Sequence, residues 1–380
     1  MTPVAPPHLR LARQASLRDL IIANGLDALL VTSLSNVAYL TGLFASAAAV
    51  VITRDRFTMI TDGRYLGIAQ GLAAEMPGVA LVTTPAAIPF DQALADVLCS
   101  IGQGRAGFEA AHFTVKRFGD LQARVTKLAP GCELEGVEGL VEQLRTLKDQ
   151  WELELFAEAG GRLSEVAKCI IPKALEAMKG GIRERQVAAI IEEELRRVGF
   201  DKPAFDTIVA SGPNSAVPHY RAGDRVLTPG DLVVLDFGGM FCGYAVDLTR
   251  TITVGPASTR QRKLLEDIAA AQDAGFGMVR QGAPATDIDR GAREAMTAAG
   301  LGEAFGHGTG HGLGLEVHER PRIAQLRAGL PIEPLQPGMV FTIEPGAYFP
   351  GWGGARIEDD AALTASGAVW LTSVPRFWTC

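Results

Sequence analysis

Residues Leu227–Gly239 read LTPGDLVVLDFGG, and residues Leu335–Ala347 read LQPGMVFTIEPGA. Laid over one another at an offset of 108, Pro229 and Gly230 fall on Pro337 and Gly338, Asp236 on Glu344, and Gly238 on Gly346. A second match lies upstream. GIRERQVAAIIEEELRRVGF, from Gly181, aligns with GAPATDIDRGAREAMTAAGL, from Gly282, at an offset of 101. Val187, Ile191 and Leu195 then fall on Ile288, Ala292 and Met296. These positions recur every four residues, the apolar stripe of a helix, and both patterns stop at a glycine, Gly199 and Gly300. Such a repeat marks two like structural units. The alternative is chance similarity, and a carboxylate landing on a carboxylate argues against it. Each half is predicted to run helix, helix, β-ribbon, and halves packed face to face would gather their acids at a pseudo-twofold axis.

Those acids extend to a set. Asp236 sits in VVLDFGG, Asp247 in YAVDLTRT, Glu344 in FTIEPG and Glu358 in ARIEDD, with His311 in GTGHGLG. Each carboxylate lies in an apolar, strand-like run, where a lone ionised acid is costly to bury. One divalent ion would leave four carboxylates net negative, whereas two would neutralise them, so the set predicts a paired divalent-metal centre. DLVVLDFG and YAVDLTRTITV read as strands joined by the turn GGMFCG. Asp236 and Asp247 are equidistant from a turn centre between Phe241 and Cys242. A regular hairpin would set them face to face, roughly 5 Å apart at Cβ, where they repel unless a cation bridges them. The bland alternative is a pair of exposed strand acids.

The pattern resembles the pita-bread metallopeptidases, the clan of methionine aminopeptidase, aminopeptidase P and prolidase, in the type and order of all five ligands. The strings NSAVPHY, DLTRT, GTGHGLGLEVHE, TIEPG and RIED resemble the branch that cleaves before proline. NVAYLTG and TDGRY resemble the N-terminal domain of creatinases and prolidases. The fold class expected is therefore α+β in two domains: an α/β creatinase-like domain over 1–145 and a pseudo-twofold pita-bread domain over 146–380. The resemblance implies metal ligation by Asp236, Asp247, His311, Glu344 and Glu358, with Glu344 also shuttling a proton. His219 and His318 match histidines that hold the substrate carbonyl, His307 one that contacts the proline side, and Arg356 an arginine that orients a ligating aspartate. Arg322, four residues beyond His318, matches an arginine that reaches the carboxylate of a C-terminal proline.

The implied activity is that of a metal-dependent exopeptidase acting on Xaa-Pro bonds of di- or oligopeptides. An Xaa-Pro dipeptidase is favoured, with aminopeptidase P as the runner-up. A pita-bread enzyme recruited to another amide or a lyase reaction is a further alternative, and a metal-free or inactive relative is disfavoured because no ligand is lost. Mn²⁺ or Co²⁺ is expected, with Zn²⁺ or Fe²⁺ admitted by an oxygen-rich set with one imidazole. The resemblance also implies a homodimer.

Composition bounds the rest. The 380 residues suggest two domains, with 47% hydrophobic residues and a net charge of −7. No basic cluster favours nucleic acid. The longest apolar stretch, LFASAAAVVI, is too short to cross a bilayer, and MTPVAPPHLRLARQ lacks the apolar core of a signal peptide. Five scattered cysteines without a CxxC suggest neither a disulfide framework nor a zinc knuckle, and a reducing cytoplasm is expected. In the first part, strands are predicted at DALLVT, AAAVVITRD, FTMITD, VALVT, RAGFEA and CELEGV, with helices between them. The domain boundary is placed near Leu144, before a long helical stretch from Lys148 to Met178. GQGRAG, Gly102–Gly107, satisfies GxGxxG but follows a helix and opens a strand, the reverse of a dinucleotide fingerprint; it is read as a loop. GHGTGHGLG is too rich in glycine for a zinc-binding helix through His307 and His311.

Overall fold

A computed structural model describes residues 4–178, 181–326, 329 and 332–378. The chain separates into two compact units, Met1–Arg145 and Thr146–Cys380.

The first unit runs α1 (Pro7–Ala23), β1 (Ala28–Val31), α2 (Leu34–Thr41), β2 (Ala48–Thr53), β3 (Phe57–Asp62), α3 (Leu66–Ala74), β4 (Val79–Thr84), α4 (Phe90–Cys99), β5 (Gln103–Glu109), α5 (Val115–Leu128) and β6 (Gly131–Val137), with α6 (Leu140–Thr146) at its end. Its sheet has the order β4-β3-β2-β1-β5-β6. The β2 hairpin partners are antiparallel, while β3/β4, β1/β5 and β5/β6 are parallel, and each parallel step needs a crossover helix. The six expected strands form. GQGRAG is not a loop: all but its first residue lies in β5, which pairs with strands on both sides.

Helix α2 has no counterpart in the sequence reading. Six of its residues, Asn36–Thr41, are buried, so it shows no apolar stripe against a polar face, the usual signature of a surface helix. Its ends are satisfied by side chains instead. Glu109 accepts from the N–H groups of Thr32 (2.5 Å) and Ser33 (2.7 Å) and from Asn36 Nδ2 (2.5 Å). At the other end Arg10, Arg13 and Gln14 donate to the carbonyls of Thr41, Tyr39 and Leu40 at 2.9, 3.1 and 3.0 Å. A carboxylate at the N-terminus and guanidinium groups at the C-terminus also match the helix dipole.

The second unit repeats one order of elements. The first half contains α7 (Gln150–Met178), α8 (Glu184–Arg197), β7 (Lys202–Pro203), β8 (Ile208–Ser211), β9 (Leu232–Phe241) and β10 (Tyr244–Thr253). The second contains α9 (Thr259–Phe276), α10 (Thr286–Ala298), β11 (Gly310–Gly312), β12 (Glu319–Ile323), β13 (Val340–Ile343), β14 (Gly346–Phe349), β15 (Gly353–Arg356), β16 (Asp359–Thr364) and β17 (Gly367–Trp370). Helices α8 and α10 are both followed by a left-handed glycine, Gly199 at φ 99° and Gly300 at φ 76°, the usual end of a helix. Strands assemble as β10-β9-β7, with β8 also on β9, and as β12-β11-β13-β16-β17. Among the described residues a single bridge, Thr249 to Glu358, joins the two sheets.

The hairpin register differs from the one expected. Strands β9 and β10 extend until only Cys242 and Gly243 remain as the turn, and Tyr244 pairs with Phe241. Both turn residues have positive φ, 51° and 85°, as in the two-residue turns that suit the twist of a hairpin. The turn centre therefore moves one residue along. Asp236 pairs with Thr249 and Asp247 with Gly238, so the two acids are diagonal neighbours on one face rather than directly opposed. Nor do Glu344 and Glu358 lie within strands. Glu344 follows β13 and Glu358 precedes β16; Pro345, with no N–H to give a ladder, ends the strand after Ile343.

Candidate active site

The five predicted ligands line one cavity of about 630 Å³, together with His219, His307, His318, Arg322 and Arg356. Backbone hydrogen bonds fix the segments that carry them. Glu344 N–H donates to Thr309 O at 2.7 Å, Glu358 N–H to Thr249 O at 3.1 Å, and Asp247 N–H to Asp360 Oδ2 at 3.0 Å. One ligand atom each from Asp247, His311 and Glu358 lies within 4.8 Å of the others. His311 Nε2 lies 3.7 Å from Glu344 Oε1. Asp236 and Glu344 are joined through Arg356, which donates to Asp236 Oδ2 and sets its Nε 3.9 Å from Glu344 Oε2.

Burial acts on this cluster with little water to screen it. It pushes the carboxyls of Asp247 and Glu358 well above the usual carboxylate range, and neighbouring acids add to the rise, Asp236 for the first and Asp247 for the second. Burial also raises Glu344 to about 7, against the lowering effect of Arg356. The same desolvation lowers His311 to about 4. Protein alone thus favours protonated acids and a neutral imidazole.

The residues fit a divalent centre. Asp236 Oδ1 and Asp247 Oδ1 are buried with no hydrogen-bond partner, and a buried acceptor without a donor is expensive. Neutral imidazole nitrogen and carboxylate oxygen are the donors such ions take. A cation in reach of these oxygens would remove both penalties.

Several residues at the site were not singled out from the sequence. Thr249 donates its hydroxyl to Glu358 Oε2 at 2.6 Å and accepts from Arg356 Nε at 3.1 Å. Tyr348 accepts from Arg356 Nη1 at 2.6 Å and lies 3.2 Å from His307 Nε2. His307 Nδ1 is 2.7 Å from Gly308 O, which fixes the proton on Nδ1 and leaves Nε2 to accept from Tyr348. A polar chain thus runs from Asp236 through Arg356 and Tyr348 to His307. Burial, then Arg356, lowers His307 to about 4, and burial raises Tyr348 to about 12. A threonine in a strand and a tyrosine four residues beyond Glu344 carry no signal of their own; only their distances reveal them.

The remaining predicted residues differ in setting. His219 and His318 are exposed on the cavity wall, and the His318 ring stacks edge-on against His311, with centroids 4.3 Å apart. Arg322 lies on β12, exposed, with Nη1 donating to Gln325 O at 3.0 Å.

The two-part fold and this ligand cluster define a class. Residues 156–365 match the model of metallopeptidase family M24, and residues 13–147 match the creatinase/prolidase N-terminal domain. The chain belongs to metallopeptidase family M24. It is 37% identical to an uncharacterized peptidase of Bacillus subtilis, YqhT, over 95% of this chain and 97% of that one. It is 41% identical to the Xaa-Pro dipeptidase of Pyrococcus furiosus over 64% of this chain and 68% of that protein. The solved structure of an Xaa-Pro dipeptidase from Bacillus anthracis superposes with a TM-score of 0.86 at 32% identity, covering 97% of this chain and 99% of the other. No helix among the described residues is long and apolar enough to cross a membrane.

Proposed function

We propose that this chain is an Xaa-Pro dipeptidase, with two divalent ions, Mn²⁺ or Co²⁺, held by Asp236, Asp247, His311, Glu344 and Glu358. The observation that carries it is the meeting in one cavity of that ligand set, three further histidines and Arg322, in a family whose similar members include Xaa-Pro dipeptidases. When bound, such ions supply Lewis acidity and make water ionisable near neutral pH. The chain supplies the rest. Glu344 can take a proton and return it to the leaving proline nitrogen. His219 and His318 hold the scissile carbonyl as it becomes tetrahedral. His307, kept neutral by burial and oriented by Tyr348, packs against the proline side. Arg322 offers a guanidinium to the free carboxylate of a C-terminal proline. The protein is a homodimer in this reading, to be checked by light scattering.

The test compares kcat/KM for Ala-Pro, Ala-Pro-amide and Ala-Pro-Gly-Gly in wild type and Arg322→Ala, with metal restored after chelation. A dipeptidase prefers Ala-Pro, and the preference shrinks in the variant. Equal or faster cleavage of Ala-Pro-Gly-Gly by wild type would assign the protein to aminopeptidase P activity instead.

A further inference from the structure

Of the three cavity histidines outside the strands and helices, His318 directly precedes β12, while His219 and His307 lie within loops. Their loops need an anchor if the rings are to hold one position, because a site built on loops is only as definite as what supports it. Each half of the second unit supplies a buried acid for this purpose.

In the first half the acid is Glu184, the first residue of α8 and fully buried. Its Oε1 accepts from Ser211 N–H at 2.8 Å, Ser211 Oγ at 2.6 Å and Asn214 Nδ2 at 3.0 Å. Its Oε2 accepts from Gly223 N–H at 3.2 Å. These contacts bracket the segment 211–223, with His219 inside it. Asn214 Nδ2 also reaches Tyr220 Oη at 2.9 Å.

In the second half the acid is Asp289, in the first turns of α10 and 1% exposed. Its Oδ1 accepts from Thr309 N–H at 3.0 Å and Thr309 Oγ1 at 2.9 Å. Arg293, one turn on, pairs with both carboxylate oxygens at 2.9 and 3.1 Å and donates to the carbonyls of Phe305 (3.0 Å) and His307 (2.7 Å). The bracketed segment is 305–309, with His307 inside it. Thr309 O then receives Glu344 N–H, so the same anchor reaches the proposed proton shuttle.

The pattern is the same twice. A carboxylate near the start of the half's second helix takes both the N–H and the hydroxyl of one Ser or Thr beside the histidine's loop, Ser211 at the end of β8 and Thr309 just before β11. We infer that Glu184 and Asp289 are paired positioning residues, one per half, each setting the conformation of the loop that brings a histidine to the substrate. The inference rests on the proposed peptidase reading for the roles of the histidines, though not for the anchoring itself.

A crossed set of double-mutant cycles tests it. Glu184→Gln and Asp289→Asn keep shape but turn amide hydrogens toward buried donors, and each is expected to lower kcat/KM for Ala-Pro about tenfold or more. Combined with the histidine of its own half, each acid variant should add less than about threefold to the loss already caused by His219→Ala or His307→Ala. Combined with the histidine of the other half, the losses should multiply. Should the acid variants fold poorly, Ser211→Ala and Thr309→Val remove one arm of each anchor and should show the same crossed pattern at smaller size. Losses that multiply in all four combinations would make the acids general supports of the fold and overturn the inference. A readout independent of turnover is the His307 imidazole titration by NMR in Zn²⁺-loaded protein. It should move toward the value of a free histidine in Asp289→Asn and stay put in Glu184→Gln; an unmoved titration in Asp289→Asn would also overturn it. If wild type cleaves no Xaa-Pro peptide the functional reading fails, while the titration still decides the anchoring.

Discussion

Arg356 is buried among carboxylates and donates to Asp236, to the hydroxyl of Thr249 and to the hydroxyl of Tyr348. Burial opposes its charge, yet Tyr348 and the acids Asp236, Glu344 and Glu358 hold its pKa well above the ordinary value. It therefore stays a cation and fixes Asp236 by geometry as well as charge. Lysine would keep the charge and lose the planar fork. Arg356→Lys is expected to lose about 10–100-fold in activity or metal affinity, the usual cost of disturbing a residue that orients a ligand. Activity within twofold of wild type with both affinities intact would show that charge alone suffices. Glu344→Gln tests a different property, proton transfer. Its kcat should fall by about 10²–10⁴-fold in protein shown by metal analysis to remain loaded. Turnover within about tenfold of wild type would remove Glu344 from the proton path. For His219→Ala and His318→Ala the expectation is a fall in kcat larger than the rise in KM, because a contact that strengthens as the carbonyl becomes tetrahedral favours the transition state. A change in KM alone would make that histidine a ground-state contact.

Helix α2 shows how an element can be held almost wholly by residues remote in sequence. Glu109 closes one end from β5, and at the other the α1 side chains add to the local left-handed cap of Gly42, so the N-terminal cap does not lie where a local reading would look for it. Glu109→Ala would leave the N–H groups of Thr32 and Ser33 buried without an acceptor. A loss of about 2–4 kcal/mol in unfolding free energy is expected from several unmet donors, read by urea denaturation; a change below about 0.5 kcal/mol, the level of a neutral surface substitution, would show that water replaces the carboxylate. The same contrast explains what the sequence did and did not disclose. The repeat of Asp236 onto Glu344 and the apolar stripes of α8 and α10 are periodic, local signals, and they located the paired halves and two of the acids that line the cavity. The register of β9 and β10 was missed by two positions because it is decided by the backbone of Cys242, the one described non-glycine residue with positive φ, which composition does not announce. The break at Pro345 was legible in principle. Thr249, Tyr348, Glu184 and Asp289 were not, since their roles come from neighbours that only the tertiary fold supplies.

For the second unit as a whole, metal bound by the proposed ligands would couple to stability, with a pH dependence of definite sign. Without metal, Asp247, Glu344 and Glu358 hold their protons more tightly folded than unfolded, with Glu344 at about 7 against roughly 4 for a free carboxyl. A raised pKa contributes stability that is complete below the unfolded value and disappears as pH climbs through the folded one. Histidine acts oppositely. His307 and His311, lowered to about 4, bind fewer protons folded than unfolded up to roughly pH 6.5, so their contribution grows as pH rises to that point and then levels off. Below about pH 6.5 the two effects therefore offset. Above it only the carboxylates still change, and metal-free protein should lose stability steadily as pH goes from 6.5 to 8. Protein loaded with Mn²⁺ has its acids ionised at the outset and releases no further protons from them, so its melting temperature should stay nearly flat over the same range. The difference between the loaded and EDTA-treated melting temperatures is thus expected to widen from pH 6.5 to 8, and Glu344→Gln should reduce the widening by removing the group that titrates there. The measurement is differential scanning fluorimetry on both forms in matched buffers. A gap that stays constant or narrows with rising pH would mean that the metal-free acids are already ionised at pH 6.5, and that Arg356 and solvent, not a divalent ion, keep them charged.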